Sequence, residues 1–293
     1  MDLGPYLLLA TLEGAVAAAV LALIAVGLSL VFGVMRVVNV AHGEFFMLGA
    51  VVAWWIGDRI GGAPAWGFVA ALIAAPLIVA GVAALADRLV LQRLNYDPEA
   101  TIVATIGLLY IIQQTVLMTY GPDARPVAAP FSHRIYFPWF GYSSYKFFVI
   151  GAAVVVLAGV WLAMTRTKVG LLLRASQLDA EMARAFGVNV GRVYALTFGL
   201  GAGLAALAAV LVAPIQQAHY LMGGDPLLLA FIVVIIGGLG SIPGTMLAAL
   251  LIGMSDGIIS VFFSPTLAKI IATLLVAFTL VFRPQGLFGK PSA

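Results

Sequence analysis

The sequence predicts an all-α polytopic membrane protein, and its composition, the length of its apolar runs and their pattern support this class. Hydrophobic residues make up 63% of the 293 residues and charged residues only 9%, whereas soluble domains carry about 25% charged residues. Several apolar runs reach the length of roughly twenty residues that a helix needs to cross the hydrocarbon core. The runs are continuous rather than alternating, which indicates spanning helices rather than spanning strands.

Taken in order, the runs predict eight or nine membrane segments, some of them broken or re-entrant, in a single transmembrane domain that covers residues 1–293. The first run follows Glu13 and ends at Met35, and the second, Phe45–Gly57, is short and contains glycine. The stretch Pro226–Ser255 is too long for one crossing, so two segments are expected there. The remaining runs are Ala63–Ala86, Ala100–Tyr120, Phe147–Thr165, Val193–Ala218 and Ile270–Phe282, the last with a helix expected to begin nearer Pro265.

Basic residues predict which loops lie on the cytoplasmic side. The segment 165–192 holds five arginine or lysine residues against Asp179 and Glu181, and cytoplasmic loops of membrane proteins carry such an excess. We therefore expect a cytoplasmic loop at about 165–192. The loop at about 121–146 is rich in proline, tyrosine and tryptophan, lies one crossing away, and is expected to be periplasmic.

The polar stretch VNVAHGEFF interrupts the apolar pattern and predicts a helix that is broken inside the membrane. Asn39 can bond to nearby backbone, Gly43 frees the chain from helical dihedral angles, and Glu44 suits the first turn of a new helix. With His42, these residues are candidates for the wall of a translocation pathway, because transporters build sites from interrupted helices. The alternative is an ordinary cytoplasmic turn between two spans, with His42 at the interface.

A second glycine-rich interruption is predicted in the later part of the chain. The sequence GGLGSIPG places Gly237, Gly238, Gly240 and Gly244 between two apolar runs. A little earlier, HYLMGGDPLLLAF resembles the first interruption, with a histidine, paired glycines and an acid before a hydrophobic run. Matching interruptions in two halves are typical of transporters with internal repeats.

The predicted cytoplasmic loop contains a short helix that could contact a soluble partner. Glu181, Ala183 and Gly187 have the spacing E-x-A-x-x-x-G in a stretch of high helix propensity that stops at the glycine. Arg184 adds a basic side chain to this stretch. The alternative is a basic surface helix that lies on lipid headgroups.

Several classes of function are excluded by missing motifs. The chain has no cysteine, and His42, His133 and His219 are far apart, so no metal site is expected. No G-x-x-x-x-G-K-[ST] motif is present, so ATP would have to be hydrolysed by another polypeptide. The basic residues lie in short loops and indicate no nucleic-acid surface. We therefore expect a transport subunit without catalytic residues, cofactor or enzymatic activity, in contact with membrane lipid.

Five stretches together resemble a known family. They are GLSLVFGVMRVVNVAHGEFFMLGA, TIGLLYIIQQ, DAEMARAFGVNVGRV, GGLGSIPGTMLAALLIG and LVFRPQGLFG. In this order they resemble the LivH-type permease subunits of branched-chain amino-acid ABC importers, over about residues 14–289. The resemblance implies a multi-pass protein of the bacterial inner membrane. It also implies four partners: a second, LivM-type permease subunit, two ATP-binding subunits and a periplasmic substrate-binding protein.

The resemblance also implies roles for particular residues. Glu181–Gly187 matches the cytoplasmic helix that couples such permeases to their ATPases, although Met182 stands where the wider class has alanine. The interruption of the second membrane segment would fall at Val38–Gly43. An acid and a lysine in comparable places imply an intramembrane ion pair between Asp256 and Lys269.

The expected function is import of branched-chain or other hydrophobic amino acids, by alternating access driven by separate ATPase subunits. One alternative keeps this architecture and changes the substrate to urea, short amides or aromatic acids. Another alternative is a stand-alone ion-coupled secondary transporter, in which His42, Glu44 and Asp256 would be proton or cation sites.

Overall fold

The computed structural model describes residues 3–61, 64–283 and 285–288. Within them the chain forms eleven α-helices, one 3-10 helix at Leu91–Leu94 and a two-stranded hairpin. The helices are α1 Leu3–Met35, α2 His42–Ile60, α3 Pro64–Leu89, α4 Pro98–Tyr120, α5 Ser144–Arg166, α6 Lys168–Leu178, α7 Ala180–Ala185, α8 Val190–Gln216, α9 Gly224–Gly237, α10 Ile242–Phe262 and α11 Pro265–Phe282; the strands are β1 Arg134–Tyr136 and β2 Gly141–Ser143.

The structure confirms an all-α polytopic membrane protein. Seven described helices are long and apolar enough to cross a bilayer: α1, α3, α4, α5, α8, α10 and α11. The other two apolar helices are α9, with only 14 residues, and α2, which carries Glu44, Asp58 and Arg59. The expected count of eight or nine crossings therefore depends on these two helices, which adjoin the predicted interruptions.

Short polar residues set where several helices begin. Asp97 Oδ1 accepts a hydrogen bond from the Ala100 N–H at 2.9 Å, and Ser264 Oγ accepts one from the Leu267 N–H at 3.2 Å. In both cases the next residue is proline, which is favoured at the first helical position because it has no N–H to leave unpaired. These caps explain why α4 and α11 begin at Pro98 and Pro265.

Two helices form the centre of the bundle. In both α1 and α8, 72% of the most apolar stretch is buried, against 11–28% in α3, α4, α5 and α11. Small residues let α1 approach its neighbours closely: a methyl group added at Gly257 would overlap Gly14, and one added at Gly27 would overlap the Gly201 carbonyl of α8. Close packing of this kind holds membrane helices together, because lipid provides no hydrophobic drive for their association.

The two ends of the bundle differ. One end carries the segment 121–143, in which β1 pairs antiparallel with β2, Arg134 lying opposite Ser143. We call it the hairpin face. The opposite end, reached through the single span α5, carries α6 and α7 and is called the coupling face. At the hairpin face the Tyr120 hydroxyl donates to the Ala218 carbonyl at 2.8 Å and ties the end of α4 to the segment after α8.

The segment after α11 completes the end of α9. The Leu287 N–H donates to the Ile236 carbonyl at 2.8 Å, and the Phe288 N–H donates to the Gly237 carbonyl at 3.2 Å. Carbonyls in the last turn of a helix have no partner within the helix and need one from elsewhere. The segment 285–288 therefore supplies hydrogen bonds that α9 cannot make for itself.

This cap predicts a stability change at Gly286. The residue has φ +75°, and a methyl group added there would overlap the Gly238 backbone. We expect Gly286→Ala to destabilise the protein by about 1–3 kcal/mol, as strained left-handed residues do. Thermal unfolding of the purified protein measures this. Gly151→Ala is the matched control, because a methyl group at that exposed position of α5 meets nothing within 4 Å; equal midpoints for the two variants would contradict the capping role.

Candidate translocation site

The chain between α1 and α2 turns back into the membrane. After α1 ends at Met35, Arg36 adopts φ +59°, which reverses the chain direction, and the following residues are not helical. His42, at the start of α2, then places its Nε2 3.0 Å from the Ile24 carbonyl oxygen. Ile24 lies eleven residues before Met35, which corresponds to about 16 Å of helix. Thus α2 begins beside the middle of α1, the geometry of an interrupted helix rather than of a surface turn.

Protein groups satisfy part of the irregular backbone in this interruption. Asn39, which is fully buried, accepts a hydrogen bond from the Ala41 N–H at 3.1 Å through its Oδ1. Thr105 of α4 accepts one from the Val40 N–H at 3.3 Å through its Oγ1. Non-helical backbone at membrane depth is tolerated only where protein or a cavity surrounds it. The predicted role of Asn39 in local bonding agrees with this geometry.

Three buried polar atoms of the interruption have no hydrogen-bond partner among the described residues. They are Asn39 Nδ2, His42 Nδ1 and Glu44 Oε2. The other carboxylate oxygen of Glu44 accepts a bond of 3.5 Å from Gln113 Nε2 of α4. Because buried polar groups are nearly always paired, such a cluster is a place where a ligand or water can bond.

The first turns of α2 and α9 meet at two glycines. A methyl group added to Gly43 would overlap the carbonyl oxygen of Gly223, and one added to Gly223 would overlap the carbonyl oxygen of Gly43. Each helix has an acid in its first turn, Glu44 in α2 and Asp225 in α9. The similarity of HYLMGGDPLLLAF to the first interruption thus corresponds to a physical contact between the two segments.

The GGLGSIPG stretch does not take part in the Gly43–Gly223 contact and lies at the other end of α9. Gly238 and Gly240 adopt φ +99° and +78° in the turn between α9 and α10, and Gly237 packs against Gly244 without room for a side chain. Gly240 lies against Gly33, near the coupling-face end of α1. The four glycines therefore form a tight α9–α10 turn, and the counterpart of the first interruption is the segment 217–223.

A cavity of about 540 Å³ lies between α1, α5 and α8–α11. Ile24 and Phe46 lie at its deep end, where the first interruption packs, and Lys146 marks the hairpin-face end. Five charged residues line it: Glu13, Lys146, Asp225, Asp256 and Lys269. This mixture of apolar walls and a few charges is typical of small-molecule sites.

Lys269 has a different partner from the one expected. Its Nζ lies 2.6 Å from Asp225 Oδ2, whereas no contact to Asp256 within 4 Å is found in the described residues. The expected direct pair is therefore corrected: the first turn of α9 brings Asp225 to Lys269, and Asp256 lines the same cavity on α10, where the charge of Lys269 acts on it from beyond 4 Å. A second ion pair joins Lys146 of α5 to Glu13 of α1 at 2.5 Å.

The coupling face presents a short capped helix. Asp179 Oδ1 accepts hydrogen bonds of 2.9 Å from the N–H groups of Glu181 and Met182, which starts α7. Ala183 is buried, while Glu181 and Arg184 are exposed. The helix ends at Ala185, and Gly187 adopts φ +83° beyond it. Six large apolar side chains are exposed on α6, α7 and the following residue, and the three at and around α7 are Leu178, Met182 and Phe186.

Sequence reasoning missed several residues of this arrangement. Lys146, Gln113 and Gly223 were not recognised as candidates. Lys146 could have been found from its position at the edge of an apolar run, because a charged residue there is expected to have a partner of opposite charge. Gly223 belongs to the glycine pair of HYLMGGDPLLLAF. A single sequence does not show which of the two glycines faces the first interruption or that it contacts Gly43.

The fold and the site define a polytopic membrane protein with the interrupted helices and polar-lined cavity of a transport permease. The family model described as "Branched-chain amino acid transport system / permease component" matches residues 10–280. The chain therefore belongs to the family of branched-chain amino-acid transport system permease components, and its homologues are ABC-transporter permeases.

Individual relatives agree with this family. The chain is 30% identical to the high-affinity branched-chain amino acid transport system permease protein LivH of Salmonella typhimurium, with 98% of this chain and 96% of the relative covered. It is also 30% identical to BraD of Pseudomonas aeruginosa, with 92% of each covered. Among solved structures, PsaBC from Streptococcus pneumoniae in complex with Fab matches with a TM-score of 0.52 and 11% identity, covering 94% of this chain and 92% of that one. This last likeness concerns the fold alone.

Proposed function

We propose that this protein is the membrane-spanning subunit of an ATP-driven importer of branched-chain or other hydrophobic amino acids. In this proposal it pairs with a second, LivM-type permease subunit in the bacterial inner membrane. Two ATP-binding subunits dock on the coupling face, which is cytoplasmic. A periplasmic substrate-binding protein delivers the amino acid at the hairpin face. The permeases named for branched-chain amino acids that match nearly the whole chain support this substrate class.

The observation that carries the proposal is the exposed apolar cluster on the coupling face. Leu178 is 80% exposed and Phe186 is 84% exposed, and both lie in a segment outside the spanning helices that also carries Lys168, Arg174 and Arg184. An apolar cluster rimmed by charge on a water-facing segment marks a protein interface. The coupling proposal therefore places the ATP-binding subunits on Glu181–Gly187, with Ala183 fixing α7 to the bundle.

Motion of α7 can be transmitted to the interruption between α1 and α2 through helices that pack against one another. The helix is joined to α6 and α8, α6 also contacts α1, and α8 packs along α1 and α2. A displacement of α7 during ATP hydrolysis would thus be transmitted to the helices that surround the Gly43–Gly223 contact. In the proposed cycle this contact separates and re-forms as access alternates between the two faces.

ATP-dependent uptake by the reconstituted complex tests the proposal. Vesicles that contain both permease subunits and both ATPase subunits should accumulate L-leucine when ATP and the loaded binding protein are present. We expect at least a ten-fold increase in initial rate over vesicles that contain ADP. Uptake by this chain alone under a proton or sodium gradient would instead identify an ion-coupled secondary transporter, and uptake of urea or aromatic acids with exclusion of leucine would reassign the substrate.

A further inference from the structure

We propose that the charged cavity of this subunit binds an α-amino acid in its zwitterionic form, with Asp256 as partner of the α-ammonium group and Lys269 as partner of the α-carboxylate. The inference rests on the proposed function as an amino-acid importer. It deepens that function by assigning a substrate site within a single permease chain, on the hairpin-face side of the Gly43–Gly223 contact.

The charges of the cavity leave one carboxylate without an ion pair of its own. Three acids and two lysines line it, and the structure forms two ion pairs from them, Lys146 with Glu13 and Lys269 with Asp225. Asp256 forms no ion pair within 4 Å among the described residues, and the cation that acts on it from further away, Lys269, is already bonded to Asp225. A charge at membrane depth requires a partner, and a ligand ammonium group would supply it.

Lys269 can bind a carboxylate without giving up Asp225. Its ammonium group has three N–H donors, and Asp225 accounts for one of them. The two side chains are 41% and 70% exposed, so a ligand can reach the pair from the cavity. The carboxylate of an amino acid could therefore bond to Lys269 while its ammonium group bonds to Asp256.

The remaining walls favour an apolar side chain. Val16, Val20, Leu229 and Ile252 line the cavity between the charged positions. Burying a charged or polar side chain against such residues without a partner is costly. A volume of about 540 Å³ also falls in the range of roughly 300–1,000 Å³ that small-molecule pockets occupy.

The cavity ends at the Gly43–Gly223 contact, so the site lies on the hairpin-face side of the point where the path is closed. Its deep end is formed by Phe46, two residues after Glu44, and by Ile24, whose carbonyl lies beside His42. A ligand there would be stopped by the packed first turns of α2 and α9. The cavity would thus hold the substrate while the path is closed. Separation of Gly43 and Gly223 would then let the substrate move on toward the coupling face.

Protection of a single introduced cysteine tests the site. The chain has no cysteine of its own, so Ser260→Cys places one thiol in the cavity lining. In the full complex in nanodiscs, we expect L-leucine to slow labelling of this thiol at least five-fold. Isopentylamine, which lacks the carboxylate, and 4-methylpentanoate, which lacks the ammonium group, should not do so at the same concentration. Ser132→Cys, exposed on the hairpin face outside the cavity, is the control and should label equally with and without leucine.

A second variant tests the assigned partner of the ammonium group. Asp256→Asn in the Ser260→Cys background should abolish protection by L-leucine, and Asp123→Asn, an exposed acid outside the cavity, should preserve it. Protection that survives Asp256→Asn, or equal protection by either single-charge analogue, would overturn the inference. Normal leucine uptake by the unmodified complex without any protection would overturn the site alone, whereas absent uptake by that complex would contradict the proposed function.

Discussion

Gly43→Ala should lower the midpoint of thermal unfolding by about 2–12 °C, because overpacking of a tight contact costs about 1–3 kcal/mol and each kcal/mol shifts the midpoint of a domain of about 150–250 residues by about 2–4 °C. The added methyl group would overlap the Gly223 carbonyl and the Leu227 side chain. Carbonyl backbone cannot rotate away as a side chain can, so α2 and α9 have to separate. Uptake should fall with stability, since the same contact closes the proposed path.

The control for this variant adds the same methyl group at another glycine of the same helix. Gly57 also lies in α2, and a methyl group added there meets nothing within 4 Å. Gly57→Ala should therefore leave the midpoint within about 1 °C of the unmodified protein, or raise it slightly, since alanine is favoured over glycine in helices. Thermal unfolding in one detergent, followed by tryptophan fluorescence, compares the two. Equal midpoints would show that the Gly43–Gly223 contact does not hold the two helices together.

Phe186→Asp should reduce ATP-driven uptake at least ten-fold while leaving the folded permease intact. The side chain is 84% exposed directly after α7, so its loss removes little packing within this chain. In the proposed complex it is buried against an ATP-binding subunit, and aromatic residues at the centre of an interface commonly contribute 2 kcal/mol or more. The variant permease should insert and unfold normally but fail to retain the ATPase subunits during purification.

Phe263→Asp is the matched control. Phe263 is 74% exposed in the turn between α10 and α11, at the other end of the bundle. The same chemical change there should leave the ATPase subunits bound. Loss of the ATPases in both variants would indicate general damage to the permease, and their retention in Phe186→Asp would place the docking surface elsewhere on the chain.

The membrane helices could be predicted from the sequence because each one depends on local composition. The stretch Pro226–Ser255 divides as expected, with α9 ending at Gly237 and α10 starting at Ile242, and the last helix begins at Pro265. The first helix begins earlier than predicted, at Leu3 rather than after Glu13. A charge usually ends an apolar run, which predicts a boundary at Glu13, but its ion pair with Lys146 lets it lie inside α1.

Contacts between distant parts of the chain could not be predicted in this way. The resemblance to the family implied an Asp256–Lys269 pair, whereas the structure pairs Lys269 with Asp225, which lies 44 residues away in sequence. Which acid faces the lysine depends on the rotation of α10 about its axis, and a uniformly apolar helix gives no periodic signal for that rotation. The hairpin β1–β2 was missed because its strands have only three residues each.

The residues of the interruption could be predicted from the sequence, but their contacts could not. Asn39, His42, Gly43 and Glu44 stood out because polar residues are costly among apolar ones. Their spacing could not reveal that the Ile24 carbonyl or Gln113 would lie beside them. Their role in contacting substrate stays a prediction.

The hydrogen bonds that finish α9 also set an order of events during synthesis. Its last carbonyls, on Ile236 and Gly237, bond to residues that lie fifty-one positions further along the chain. Both α10 and α11 emerge from the ribosome before those residues do. Carbonyls in the last turn of a helix need a partner from elsewhere, so α9 is expected to reach its final position only after the two helices that follow it have been inserted. The end of α9 is therefore completed last in this half of the protein, although α9 is synthesised before α10 and α11.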